Sequence, residues 1–164
     1  MSKAITLGFP LLLIVALGGT ALAQSPASAG AGFEKKEFTY EDFAKGRFSD
    51  VVTVTGPGKL IFLSGTGAWD ETTGAPLFKD NFMEQCRYSY GVVRKRLAAH
   101  AATMNDVVRQ TAYIVDVRNQ ADYGKCRAEA FQGAPLPAST GVYVSALGVP
   151  YMLFEVEITA AVAK

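Results

Sequence analysis

The pattern of apolar and polar positions predicts two amphipathic helices set between strands. Apolar or small side chains recur at three- and four-residue steps over residues 79–100, which predicts a first helix. The same spacing puts Tyr123, Cys126 and Ala130 on one face of a second predicted helix over residues 120–131. Two prolines that follow soon after would stop that helix.

Five strands are predicted around these helices, over residues 51–55, 60–63, 107–115, 139–147 and 152–160. A Gly-Pro-Gly turn at residues 56–58 joins the first two, which predicts a β-hairpin. The order β-β-α-β-α-β-β indicates an α/β fold, with a mixed sheet and both helices on one face.

The last predicted strand carries two carboxylates. Glu155 and Glu157 alternate with apolar Phe154, Val156 and Ile158. Two carboxylates on one face of a mostly apolar strand are unusual unless they are solvated or take part in chemistry. We therefore expect the functional site in this part of the chain.

The first 23 residues are typical of an export signal. A basic start at Lys3 precedes an apolar run, and Ala21-Leu22-Ala23 is the small-x-small pattern that signal peptidase cuts before Gln24. The alternative is a membrane anchor, but the run is interrupted before the roughly 20 apolar residues that a spanning helix needs. We expect a periplasmic or secreted protein that is not attached to a membrane after cleavage.

The remaining chain suits one domain. After the signal peptide (1–23), residues 24–46 are interpreted as a flexible leader and the start of the domain, and residues 47–164 as the domain itself. The whole chain has 16 Lys and Arg against 15 Asp and Glu, and loss of Lys3 with the signal would make the numbers equal. A neutral domain without a basic run does not favour nucleic acid as a partner.

The cysteines and the single histidine do not match a metal site. Cys86 and Cys126 lie forty residues apart, which is not the spacing of zinc ligands, so no metal or cofactor is expected. The two cysteines either form a disulfide, which an exported protein's compartment permits, or remain buried free thiols.

A series of short motifs runs in fixed order from residue 46 to residue 160. The motifs are GRFS at 46–49, LIFLSG at 60–65, NDVV at 105–108, YIVD at 113–116, PA at 137–138, VxVxxL at 142–147 and ExE at 155–157. In order and spacing they resemble the Rid/YjgF family of reactive-intermediate deaminases. The resemblance implies a chorismate-mutase-like fold and a homotrimer with ligand clefts between subunits. It also implies hydrolysis of enamines and imines to keto acids and ammonia.

The same resemblance implies individual site residues. The family's Ser-Gly, whose backbone lines the cleft, falls on Ser64 and Gly65. The cleft aromatic falls on Phe48, and the glutamate that orients the hydrolytic water falls on Glu155. A polar asparagine of the second helix falls on Lys125. Glu155 would therefore be the catalytic residue, the alternative being an ordinary surface position on a strand.

One motif departs from the family. Its deaminases have Pro-Ala-Arg where this chain has Pro-Ala-Ser, and Ser139 cannot replace a guanidinium that binds the substrate carboxylate through two hydrogen bonds. Ser139 and Thr140 could hydrogen-bond a neutral ligand or simply occupy a strand end. Lys125 or Arg127 could reach the cleft from the second helix, although such side chains more often lie in water at a helix surface.

Three functions are compatible with these residues. The first is an exported relative of the imine deaminases with an atypical substrate range. The second is a catalytically silent trimer that binds a small metabolite, such as an imino or keto acid, between subunits. The third is a structural or partner-binding trimer with vestigial clefts. The absent arginine predicts weak hydrolysis of small 2-imino acids.

Overall fold

The structure is a computed structural model that describes residues 32–56 and 58–164. The predicted signal peptide, its cleavage site and most of the small-residue leader lie outside the described residues. Within the described part, no helix is both long and apolar enough to cross a membrane.

The described chain forms strands and helices in the order β1 (Glu34–Phe38), β2 (Val51–Thr55), β3 (Gly58–Gly67), α1 (Phe82–Ala99), β4 (Val107–Val115), α2 (Gln120–Ala130), β5 (Ala138–Val144) and β6 (Phe154–Ala163). Short 3-10 turns at Asp42–Ala44, Met104–Asp106 and Val117–Asn119 separate some of them. The predicted helices and the strand over residues 107–115 are confirmed to within a few residues.

The main sheet has four strands in the order β3-β6-β4-β5. β6 pairs antiparallel with both β3 and β4, whereas β4 and β5 are parallel and joined by α2. Both helices pack on one face of this mixed sheet, which confirms the predicted α/β class. The core lies between helices and sheet and includes the buried side chains of Tyr90, Leu97, Ile114, Phe154 and Ile158.

A disulfide joins the two helices. Cys86 of α1 and Cys126 of α2 are bonded, with 6.4 Å between their Cα atoms, and both are buried. Their positions follow from the apolar stripes of the two helices, because each cysteine faces the sheet and the neighbouring helix. Of the two alternatives that the sequence leaves open, the structure has the disulfide.

The predicted hairpin between residues 51–55 and 60–63 is wrong. β2 pairs antiparallel with β1 in a separate two-stranded sheet, and β3 pairs with β6. β1 is the charged segment EKKEF, within the residues 24–46 that were interpreted as the leader and the start of the domain, and it has no apolar alternation that would indicate a strand. Because β1 supplies the partner of β2, β3 is free to extend the main sheet beside the C-terminal strand.

Candidate functional site

Glu155 lies on the face of the sheet that the helices leave open. Its neighbours Phe154 and Val156 are fully buried against the helices, and successive side chains of a strand point to opposite faces. Glu155 itself is half-buried. We call the face that carries Glu155 the outward face of the sheet.

Gly65 makes room for the Glu155 carboxylate. A Cβ atom built on Gly65 would lie 1.9 Å from Oε1 of Glu155, so only glycine lets the carboxylate rest against the backbone of β3. The pairing of β3 with β6 is irregular here. Leu63 pairs with Ile158 and Thr66 pairs with Val156, so β3 has one more residue than β6 between these two pairs, which is a β-bulge. The bulge holds Ser64, which is exposed, and Gly65 beside Glu155.

The surroundings of Glu155 favour its protonated form. Partial burial raises the pKa of the Glu155 carboxyl above its usual range, and the nearby charge of Glu157 raises it further. Tyr113, which lies opposite Glu155 on β4, donates a hydrogen bond of 3.2 Å to Oε2 of Glu157. A carboxyl whose pKa moves towards neutrality is suited to accept and return a proton.

Gln85 of α1 fixes the loop that leads into β6. Its Nε2 donates to the carbonyl oxygens of Tyr151 (2.9 Å) and Phe78 (3.2 Å), and its Oε1 accepts from the backbone N–H of Leu153 at 2.7 Å. The side chain is fully buried, so these bonds satisfy groups that water cannot reach. Gln85 therefore holds Leu153, the residue directly before β6 and two residues before Glu155. Gln85 was not among the residues predicted from the sequence, although a polar residue next to Cys86 on a buried stripe is a usable signal.

Ser139 faces the helices and belongs to a buried polar network. Gln110 of β4 donates from Nε2 to Oγ of Ser139 at 2.8 Å. Its Oε1 accepts from the hydroxyl of Tyr90, also at 2.8 Å. Thr140, the next residue, points to the outward face, in register with Thr111. The two predicted polar ligands of β5 thus lie on opposite faces of the sheet.

Arg127 reaches Ser139 from α2. Its guanidinium donates a long hydrogen bond of 3.4 Å to Oγ of Ser139 and lies 5.6 Å from the centre of the Tyr123 ring. Lys125 instead is exposed and pairs with Asp122 at 3.2 Å. Of these two cations, only Arg127 contacts Ser139.

A cavity of about 720 Å³ opens between α2 and the segment before β2. Its walls include Phe43, Arg47, Phe48, Arg118, Tyr123 and Arg127. We call it the α2 cavity. It contains the predicted residues Phe48 and Arg127, whereas Ser64, Gly65 and Glu155 lie together on the outward face.

The structure therefore places Ser64, Gly65 and Glu155 on the outward face of the sheet and Phe48 and Arg127 at the α2 cavity, on the side that the helices cover. Lys125 lies in neither group. In the part of the chain that the structure describes, no three His, Cys, Asp or Glu side chains come close enough to hold a metal ion.

Comparison with known proteins places this arrangement in a family. The sequence model described as endoribonuclease L-PSP matches residues 40–162. The chain is 28% identical over 127 residues to the RutC family protein YjgH of Escherichia coli, with 74% of this chain and 88% of that protein covered.

Solved structures agree with the sequence match. The Rid family protein YyfB of Yersinia pestis superposes with a TM-score of 0.70 at 25% identity, over 78% of this chain and 98% of that one. Rv2704 of Mycobacterium tuberculosis, a YjgF/YER057c/UK114 family member, gives a TM-score of 0.55 at 27% identity, over 79% and 100%. The motifs, the mixed sheet with two helices on one face and these matches lead to one conclusion: the chain belongs to the Rid/YjgF family.

Proposed function

We propose that the protein is a homotrimer with a small-molecule cleft between subunits. In each cleft, Glu155 of one copy faces the α2 cavity of a neighbouring copy. The proposal is supported by the division of the site residues, because two groups on opposite faces of a sheet meet at one ligand only if they come from two chains. It is also supported by the outward face, where Leu60 is 54% exposed and Phe62 is 74% exposed. Association would bury this apolar surface.

The reaction that this cleft supports best is hydrolysis of an imine. Glu155 accepts a proton from a water molecule while the water oxygen bonds to the imine carbon. The carboxyl then returns the proton to nitrogen, which gives a carbinolamine. Glu155 next accepts the proton of the carbinolamine hydroxyl and passes it to nitrogen as the C=O double bond forms and the C–N bond breaks, so that ammonia and a carbonyl compound leave. The raised pKa of Glu155 suits both proton transfers.

A single observation carries this function: the Glu155 carboxylate rests against Gly65, on an exposed face, with its proton affinity increased. The test is an assay of the purified protein with imines that an amino-acid oxidase generates in place, covering acidic, basic and neutral side chains. Wild-type protein is expected to speed their decay, and Glu155→Gln is expected to lose the effect.

Glu71→Gln is the matched control, since Glu71 is an exposed loop carboxylate that pairs with Lys95 of α1 and lies outside the main sheet. It is expected to keep wild-type activity. No acceleration by the wild type with any of the three imine classes would overturn the proposal, and so would full activity in Glu155→Gln.

A second candidate is a catalytically silent trimer that binds a metabolite. The observation that favours it is Ser139, whose hydroxyl is engaged by Gln110 and Arg127 and supplies no charge to the outward face. A ligand that binds only the folded state raises its melting temperature. If keto acids raise the melting temperature of the protein and the protein does not hydrolyse imines, this candidate is supported over the first.

We also propose that the mature protein is exported and begins at Gln24. The Cys86–Cys126 disulfide supports export, because such bonds persist in oxidising compartments. Sequencing the N-terminus of the protein recovered from outside the cytoplasm tests the cleavage. Recovery of the intact N-terminus there would contradict it.

A further inference from the structure

A stripe of polar side chains crosses the outward face beside Glu155. The outward positions are Glu155, Glu157 and Thr159 on β6, and Arg109, Thr111 and Tyr113 on β4. The register places Tyr113 opposite Glu155 and Thr111 opposite Glu157. Residues two apart on a strand share a face, so the Cα atoms of the two glutamates are about 7 Å apart. Two carboxyls this close influence each other's ionisation.

The two carboxylates turn towards different neighbours. The Glu155 carboxylate rests against the backbone of β3, where a Cβ atom on Gly65 would lie 1.9 Å from Oε1. Oε2 of Glu157 accepts a hydrogen bond of 3.2 Å from the hydroxyl of Tyr113 on β4. This bond runs diagonally across the strand pair, because Tyr113 is opposite Glu155 in the register. The phenol beside Glu155 therefore binds the other glutamate.

The hydrogen bond from Tyr113 favours the charged form of Glu157. Burial raises the pKa of the Tyr113 hydroxyl, and the hydrogen bond and charge of Glu157 raise it further. Tyr113 thus remains a donor at neutral pH and stabilises the Glu157 anion. Burial acts in the same direction, because Glu155 is half-buried and Glu157 is exposed. When the pair binds one proton, both effects place it on Glu155.

The remaining charged group of this face acts in the same sense. Arg109 and Glu157 border one hollow of about 180 Å³, which Glu155 does not line. The outward residues of β3 and β5 are uncharged: Leu60, Phe62, Ser64, Thr140, Val142 and Val144. In the proposed trimer, the arginines of a neighbouring α2 cavity would favour the ionised form of Glu155. They are the same in every variant that tests the role of the β4 and β6 residues.

We propose that Tyr113 and Glu157 are positioning residues that keep the transferable proton on Glu155. The hydroxyl of Tyr113 holds Glu157 in its charged form, and this charge makes Glu155 the carboxyl that binds the proton. Both residues act through Glu155 and not on the substrate. The inference rests on the proposed function only in treating Glu155 as the group that accepts and returns a proton, and it is tested without substrate.

The measurement is a pH titration of the Glu155 carboxyl by NMR, with ¹³C-labelled glutamate. It compares the wild type with Glu157→Gln, Tyr113→Phe and the double variant, and loss of the signal in Glu155→Gln assigns it. Phenylalanine keeps the ring of Tyr113 and removes only the hydroxyl. The matched controls are Glu71→Gln and Tyr40→Phe, which remove an exposed carboxylate and an exposed phenol outside the main sheet.

Glu157→Gln is expected to move the titration of Glu155 to lower pH, because it removes the nearby negative charge. Tyr113→Phe should shift it in the same direction by a smaller amount, since Glu157 then competes for the proton. Tyr113→Phe should cause no further shift in the Glu157→Gln background, because it acts through Glu157. The two controls should titrate like the wild type. An unchanged titration in either single variant, a further shift in the double variant, or equal shifts in the controls would each overturn the inference.

The titration distinguishes this inference from the proposed reaction. If Glu155 titrates as expected and the wild type does not speed imine decay, the reaction fails and the positioning role stands. If the protein hydrolyses imines through Glu155 and the variants titrate alike, the positioning role alone fails. The acid limb of the pH profile of imine decay should move to lower pH in Glu157→Gln, because Glu155 must be ionised to accept a proton from water. An acid limb that stays in place would contradict the role of Glu157 in catalysis.

Discussion

The carboxylate of Glu155 and the backbone of Gly65 are in direct contact: a Cβ atom at residue 65 would lie 1.9 Å from Oε1 of Glu155. The contact depends on a β-bulge in β3, which brings the glycine to the outward face, and on Gln85, which fixes the start of β6. The candidate catalytic carboxyl is thus positioned by two features that lie far from it in sequence.

Gly65→Ala should displace the Glu155 side chain and abolish imine hydrolysis while the protein stays folded. The reason is steric, since a Cβ atom at this distance forces the carboxylate away from the backbone. The activity assay and a melting curve measure the two effects. Gly91→Ala is the control, because Gly91 lies in α1 with no neighbour within 4 Å of its Cβ position. That change should keep activity and stabilise the helix by up to about 1 kcal/mol. Equal activity of the two alanine variants would contradict the role of Gly65.

The stability of the wild type should fall relative to Glu155→Gln as pH rises. Partial burial raises the pKa of Glu155 in the folded state, so the folded state binds this proton more tightly than the unfolded state. The unfolded carboxyl ionises first, near its ordinary pKa of about 4.3, and the folded state is destabilised until its own carboxyl has ionised as well. Melting temperatures of both proteins between about pH 4 and pH 8 test this. Glu155→Gln should be the more stable protein at neutral pH, and the difference should shrink towards the acid end. A glutamine variant that melts below the wild type at neutral pH would contradict the prediction.

Loss of the disulfide should destabilise the domain without changing its fold. Replacing Cys86 and Cys126 together by alanine should lower the free energy of unfolding by about 2–4 kcal/mol, since the bond restricts the unfolded chain. Urea unfolding measures the loss. A reducing agent should destabilise the wild type and leave the double variant unchanged, which is the control. Two titratable thiols in the purified, non-reduced protein would show that the bond does not form.

A charge on the outward face should prevent assembly. Phe62 is 74% exposed and lies on the same face of β3 as Leu60. Phe62→Asp would therefore place a carboxylate in the proposed contact between copies. Light scattering should give three copies for the wild type and one for the variant. Tyr40→Asp changes an equally exposed aromatic residue outside the main sheet and should leave the trimer intact. A single copy in the wild type, or three copies in Phe62→Asp, would rule out this face as the contact.

The helices and β4 could be predicted from the sequence because their side-chain periods are clear. α1 and α2 show repeated apolar steps, and β4 is rich in β-branched residues. β1 could not be predicted, since its charged side chains pair across a two-stranded sheet that has little core of its own. The hairpin was predicted wrongly for the same reason. The residues at 56–58 are typical of a turn, but β2 pairs with β1, which precedes it in the chain, and not with β3.

The candidate site was predictable only in part. Glu155, Ser64 and Gly65 were identified as candidate site residues from motifs. Their contact depends on a β-bulge that no local sequence pattern predicts. The hydrogen bond between Arg127 and Ser139 joins α2 to β5. Whether two side chains on different elements come within hydrogen-bonding distance depends on how the elements pack, which the sequence does not give. Motifs identify residues, but the face on which each residue lies follows from register.

The most direct test of a cleft shared between copies is complementation. Glu155→Ala and Arg127→Gln are each expected to be trimeric and inactive towards imines. Co-expression of the two variants at equal levels should give a population with about a quarter of the wild-type rate, since about three quarters of randomly assembled trimers are mixed and each of these rebuilds one of its three clefts. No recovery in mixed trimers whose composition is verified by native mass spectrometry would contradict the shared cleft.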